Sequence, residues 1–154
     1  MSEAGDRVAE LVELVVDALD LDAEVVLDED GEEIVATVEG EDLGLFIGRH
    51  GSTIEAVQHL AQRVVMKDHD REAPRKRIVV DAAGYRARRR EALEGQAADA
   101  AEEAVRYGRP VALDAMTATE RRIVHEYLRD RDDVETYSEG EEPDRHLVVA
   151  PVGD

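Results

Sequence analysis

The stretch FIGRHGSTIEAV, Phe46 to Val57, decides how this chain is read. Two glycines, Gly48 and Gly51, bracket Arg49 and His50, and a helix-forming run follows. Glycine has no Cβ, so its backbone can approach a ligand closely and adopt positive φ. Ser52 and Glu55 stand at capping-box spacing, which predicts a helix starting at Ser52. The first amides of a helix lack internal partners and carry the positive end of its dipole, which favours an anion. Arg49 adds a charge-assisted contact to phosphate, and His50 can donate to phosphate or stack on a base. Two glycines at this spacing also occur in plain tight turns, so the loop alone is a weak signal.

The surrounding composition sharpens the question. The chain has 154 residues, a net charge of −19 and no cysteine. Residues 1–42 hold 16 acids and one base, whereas residues 43–91 hold 6 acids and 11 bases. Residues 92–154 return to 16 acids and 7 bases. The loop therefore lies in a basic island, and salt screens exposed charges beyond about 8 Å. A local cationic face can then hold a polyanion despite an acidic remainder. The acids elsewhere read as a solvated surface, or as a face that docks a basic protein. The absence of cysteine excludes disulfides and thiolate metal sites and fits a reducing cytoplasm. The opening SEAGDRVAEL has neither basic nor apolar leader character, which predicts no signal peptide. No apolar run approaches the ~20 residues of a membrane span.

Working outward, Val8, Leu11, Val12, Val15, Ala18 and Leu19 recur at helical spacing and predict a helix over 6–19. The run AEVVLDEDGEEIVATVEG predicts a hairpin with Asp30-Gly31 as a two-residue turn. Its DEDG lacks the ligand spacing of a calcium loop. EDLGLF predicts a short helical turn. Ile54, Val57, Ala61, Val64 and Val65 give the helix after the loop a buried stripe, extending to about His69. DHDREAPRK reads as a polar loop stopped by Pro74, and RIVVDA at 77–82 as a strand. A second unit begins near Gly84. A long helix is expected over 85–107, stopped by Gly108 and Pro110, with Gly95 inside it at a cost of ~1 kcal/mol. Thr117 and Glu120 form another capping box, starting a helix of about 12 residues. DVETYSEGEEPDRHLVVAP closes the chain as two strands around a polar turn.

In MTATERRIVHEYLRD, a helical projection gathers Ile123, Val124, Tyr127 and Leu128 on one arc. Arg121, Arg122, His125 and Arg129 fall on the other. Arg121 and His125 are neighbours at i and i+4, and cations sharing a face repel unless an anion sits between them. Four arginines, Arg86, Arg88, Arg89 and Arg90, open the long helix against its dipole. They are read either as holding an anion or as pairing with Glu91 and Glu94. No metal-ligand set and no nucleophile motif is assembled around His50, His59, His69, His125 or His146. No cofactor, no metal and no enzymatic chemistry is therefore expected.

The order helix-strand-strand-GxxG-helix-strand resembles a type II KH domain. KH domains clamp about four nucleotides of a single strand with this loop. The resemblance implies that Gly48 through Gly51 grip the sugar-phosphate backbone, with Ile54 facing the bases or packing in the core. Arg121-x-x-x-His125 after Glu120 resembles the signature of the small Arg-x-x-x-His (R-three-H) domain. IGRHGSTIEAVQ, GYRARRRE, GRPVALDAM, ERRIVH and VETYSEGEEPDRHLVVAP occur in the order found in the Jag family, also called SpoIIIJ-associated or KhpB proteins. Within these 154 residues nothing corresponds to the extra N-terminal domain that Jag proteins often carry.

The expectation is an α+β chain: a KH domain over 6–83 and an Arg-x-x-x-His domain over 84–154. The resemblance implies binding of single-stranded RNA, or single-stranded DNA, through Gly48, Arg49, His50, Gly51, Ser52, Arg121, Arg122, His125 and Arg145. For Arg145 the residues leave a second reading open, neutralisation of the carboxylates around it. The resemblance further implies cytoplasmic post-transcriptional control linked to cell elongation and division. The alternative is a scaffold pairing through its KH domain with a small KH protein or a second copy. Aspartate at Gly48 or Gly51 is expected to abolish loop binding with the fold intact.

Overall fold

The computed structural model describes residues 1–67 and 74–153. Two compact units divide the chain, one spanning Met1–Arg86 and the other starting at Ala87. The mixture of helix and sheet in both makes the protein α+β.

The first unit opens with α1, Glu3–Ala18, capped by Ser2, whose hydroxyl accepts from the Gly5 amide. Strands β1, Ala23–Glu29, and β2, Glu33–Gly40, pair antiparallel. The turn between them differs from expectation. Asp30 N–H donates to the Glu33 carbonyl at 3.0 Å, so Gly31 and Glu32 are the central pair. The Asp30 carboxylate accepts from the Glu32 and Glu33 amides, both at 2.7 Å. An aspartate opening a turn in this way supplies the backbone's missing acceptor.

From β2 the chain runs through α2, Gly44–Ile47, a short turn at Arg49–Gly51 and α3, Ser52–Lys67. It returns as β3, Arg77–Ala82, parallel to β2. Parallel strands need a long crossover, and the helical pair supplies it. Strand alternation sets one sheet face inward: Ile34, Ala36 and Val38 lie opposite Ile78, Val80 and Ala82 in register, all buried. Val8, Val12 and Val16 of α1 and Ile54, Val57 and Ala61 of α3 belong to the same core. Val16 takes the place expected for Ala18, which is exposed, and Val64 is also exposed. The expected helix end near His69, and the loop residues up to Ala73, fall outside the described residues.

The second unit is built on α4, Tyr85–Tyr107, which begins in the last residues of the first. Its Leu93, Ala97, Ala100, Ala101 and Ala104 are buried, an alanine face that lets neighbouring elements come close. Strand β4 is Val111–Ala112, and α5, Ala118–Leu128, begins at the Thr117–Glu120 capping box. Strands β5, Val134–Glu139, and β6, His146–Pro151, form the closing hairpin. The sheet order is β4-β6-β5, antiparallel throughout. Two-residue β4 is too short to announce itself in the sequence. Met116, Val124, Leu128, Val134, Leu147 and Val149 complete this core against α4.

Candidate nucleic-acid interface

The glycine loop is fixed by backbone geometry. Gly48 has φ 73° and ψ 176°, a region essentially closed to residues with a Cβ. A Cβ there would lie 2.7 Å from the Thr53 amide nitrogen. Gly51 has φ 76°, and a Cβ on it would meet the Tyr85 ring at 2.8 Å. Aspartate at either glycine therefore strains the loop itself, so the expectation of an intact fold fails here. Between them, His50 is left-handed at φ 55°, ψ 27°, and Arg49 is exposed. Among the described residues the Arg49 side chain makes no hydrogen bond or ion pair.

Two expectations for this loop are corrected. Ser52 has helical angles, φ −60° and ψ −37°, whereas a capping residue is extended. The tight turn over Arg49–Gly51 enters the helix in place of a serine cap. That turn also uses the Gly51 amide on the Gly48 carbonyl and the Ser52 amide on the Arg49 carbonyl. Those two N–H groups are satisfied internally, so at Ser52 the exposed side chain, and not the amide, is free to meet a ligand. Ile54 is 1% exposed and packs in the core, away from any base. Arg86 is tied inward: its Nε donates to the Val80 carbonyl at 2.8 Å and its Nη2 to Gln58 Oε1 at 2.9 Å.

In the second unit, an open cleft of about 420 Å³ is lined by residues of α5, β5, β6 and the β5–β6 turn. Arg121, Arg122, His125 and Arg145, expected from sequence, come together in it, with Thr136 and Ser138 of β5. The arc expected for α5 is rotated. Arg121 is only 8% exposed and lies with Val124 and Leu128, whereas Tyr127 is 47% exposed. The reason is a set of oxygen acceptors beneath the helix start. Arg121 Nη1 donates to the Met116 carbonyl at 2.6 Å and Nη2 to Glu142 Oε1 at 2.8 Å. A buried guanidinium is tolerable only when so bonded.

The other cations are partnered as well. Arg122 Nε donates to Glu126 Oε1 at 3.0 Å, and that hydrogen bond holds the Glu126 carboxyl below its usual value. Arg145 Nη1 donates to the Gly140 carbonyl at 2.6 Å, a backbone partner and not a carboxylate. His125 Nδ1 shares a hydrogen bond with the Thr136 hydroxyl, which orients the ring. Beneath the cleft, Glu120 is 4% exposed; it accepts from the Thr117 amide and from Arg89 Nε at 2.6 Å. Arg89 thus meets Glu120 of another helix, a partner the sequence did not suggest. Thr136 of the cleft, and Glu120 and Glu142 that hold its arginines or their neighbours, were not singled out in these roles from the sequence. The capping box and the place before Arg121 pointed to Glu120, and nothing local pointed to the other two.

A KH fold carrying a GxxG loop, followed by a small domain with an Arg-x-x-x-His helix, defines a two-domain class. The family model of the KhpA/KhpB KH domain matches residues 6–78, and that of the R-three-H domain matches residues 91–151. The chain belongs to the Jag/KhpB family. It is 36% identical over 147 residues to the RNA-binding protein KhpB of Clostridium symbiosum, covering 94% of this chain and 65% of that one. Over 107 residues it is 43% identical to the RNA-binding protein KhpB of Lactiplantibacillus plantarum, covering 70% of this chain and 32% of that one. The RNA-binding protein KhpB of Streptococcus pneumoniae is 29% identical over 149 residues, covering 97% and 44% respectively. The chain thus spans from about a third to about two thirds of these relatives' lengths.

Proposed function

We propose that this protein binds single-stranded RNA, with the GxxG loop holding one stretch of backbone and the Arg121/His125 cleft another. The observation that carries the reading is the loop. Its left-handed glycines bring backbone close to a ligand, and an exposed Arg49 stands between them at the entry of α3. Gly48, Arg49, His50, Gly51 and the Ser52 hydroxyl are the proposed contacts there. Arg121, Arg122, His125 and Arg145 are the proposed contacts in the cleft. The relatives' name, RNA-binding protein, supports the same assignment. No helix among the described residues is long and apolar enough to cross a membrane. A non-catalytic role in cytoplasmic post-transcriptional control, tied to cell elongation and division, follows from the family resemblance as part of the same proposal. Pairing with a small KH protein or a second copy is a separate proposal, read by sedimentation.

The test is binding of the whole chain to a labelled oligouridylate as salt is varied. About three to five neutralised phosphates give a log–log slope near −2 to −4 on a single strand. Replacing Arg49 and His50 together by aspartate weakens binding by about tenfold or more. Aspartate tolerates the left-handed conformation of His50, so the folded state survives. A flat salt response, or normal binding by this variant, refutes the loop assignment.

A further inference from the structure

Arg121 has a partner that chemically resembles a ligand. Its guanidinium is anchored on one side by the Met116 carbonyl and is only 8% exposed. On the other side sits the Glu142 carboxylate, carried on the β5–β6 turn with its side chain 60% exposed. A carboxylate and a phosphate offer a guanidinium the same thing, an anionic oxygen at hydrogen-bond distance. The two partners differ in freedom. Arg121 is buried and stays anchored on the Met116 carbonyl, whereas the exposed Glu142 regains water as soon as it swings away and leaves a buried cation in need of another anion.

Resting on the RNA reading above, we propose that Glu142 is an acidic latch that occupies the phosphate position on Arg121 until RNA displaces it. The turn is suited to this. Glu139, Glu141, Glu142 and Asp144 bring four acids and no base to residues 139–144. Two arginines of the cleft are already paired with carboxylates: Arg121 faces Glu142 and Arg122 faces Glu126. RNA must exchange one ion pair for another to enter. The latch lowers affinity for any isolated anion and favours a polyanion that makes several contacts at once.

The experiment compares the parent chain with Glu142→Gln and Glu141→Gln, using labelled oligouridylate and fluorescence anisotropy. Glu142→Gln binds about three- to tenfold more tightly at about 50 mM salt, and the gain shrinks by about 0.5 M salt. Glu141→Gln removes the same charge from the same turn but touches Arg121 in no described contact, and gains less than about twofold. The latch is overturned if Glu142→Gln binds no tighter, or if Glu141→Gln gains as much. A Glu142→Gln chain that loses its folded second domain, seen by circular dichroism, makes Glu142 a brace and also overturns it. A parent chain that does not bind the oligonucleotide at low salt refutes the RNA reading and the latch together. A binding parent with an unimproved Glu142→Gln removes the latch alone.

Discussion

Replacing Gly48 by alanine tests the geometric basis of the loop. The backbone there, φ 73° and ψ 176°, costs an L-residue about 1–3 kcal/mol before any contact is counted. The added Cβ would stand 2.3 Å from Thr53 Oγ1 and 2.7 Å from the Thr53 amide nitrogen. A threonine hydroxyl can rotate away, but the amide belongs to the first turn of α3 and moves only if that turn moves. Strain and contact together destabilise the first unit by about 2–4 kcal/mol. Urea unfolding followed by circular dichroism reads this directly, with the first unit's transition moving to lower urea and the second unit's unchanged. Oligouridylate binding falls in parallel, because the displaced turn carries Arg49. A Gly48→Ala chain that unfolds within about 0.5 kcal/mol of the parent would falsify the claim that the positive φ is what demands glycine here.

Two further outcomes follow from single residues. Glu29 accepts from the Ser2 amide at 3.0 Å, from the Ser2 hydroxyl and from Lys76 Nζ at 2.8 Å. With Lys76 foremost and Ser2 next, these bonds pull its pKa from 4.5 down to about 2. A depressed carboxylate stabilises the fold above its unfolded pKa and loses that contribution as pH falls toward the folded one. After solvent screening it is worth about 1–2 kcal/mol at neutral pH. Glu29→Gln is therefore less stable than the parent at pH 7, and the gap closes steadily between about pH 5 and pH 2 in paired urea melts. A gap independent of pH removes the ionic explanation. Gly95 lies exposed inside α4, and a Cβ there meets nothing within 4 Å. Gly95→Ala should stabilise the second unit by about 0.5–1 kcal/mol. A neutral or negative change in its thermal midpoint counts against that account.

Local chemistry made much of this protein legible in one dimension. Apolar periodicity placed α1, α3 and β3, and Gly108 with Pro110 stopped α4. Thr117 and Glu120 announced α5, since a capping box uses only neighbours. Gly48 and Gly51 were legible as a loop, because the spacing of two residues lacking a Cβ is written in the chain. Where local rules competed, the sequence misled. DG favoured one turn register, yet the Asp30 carboxylate bonded the next two amides and shifted it. Ser52 matched a cap by spacing, but the left-handed residues before it had already turned the chain into the helix.

Only the tertiary structure decided which cations are exposed. A helical projection treats every arginine as a solvent residue, because it knows the angle of a side chain and not what lies beneath it. The Met116 carbonyl and the Glu142 carboxylate come from separate loops, and their convergence turned Arg121 inward. Val80 and Gln58 did the same for Arg86, and Glu120 for Arg89. The sequence by itself determined every element but the two-residue β4, together with the loop and the presence of an Arg-x-x-x-His helix. Ion pairing depends on distances of a few ångströms between residues far apart in the chain, so folding alone chose each charge's partner.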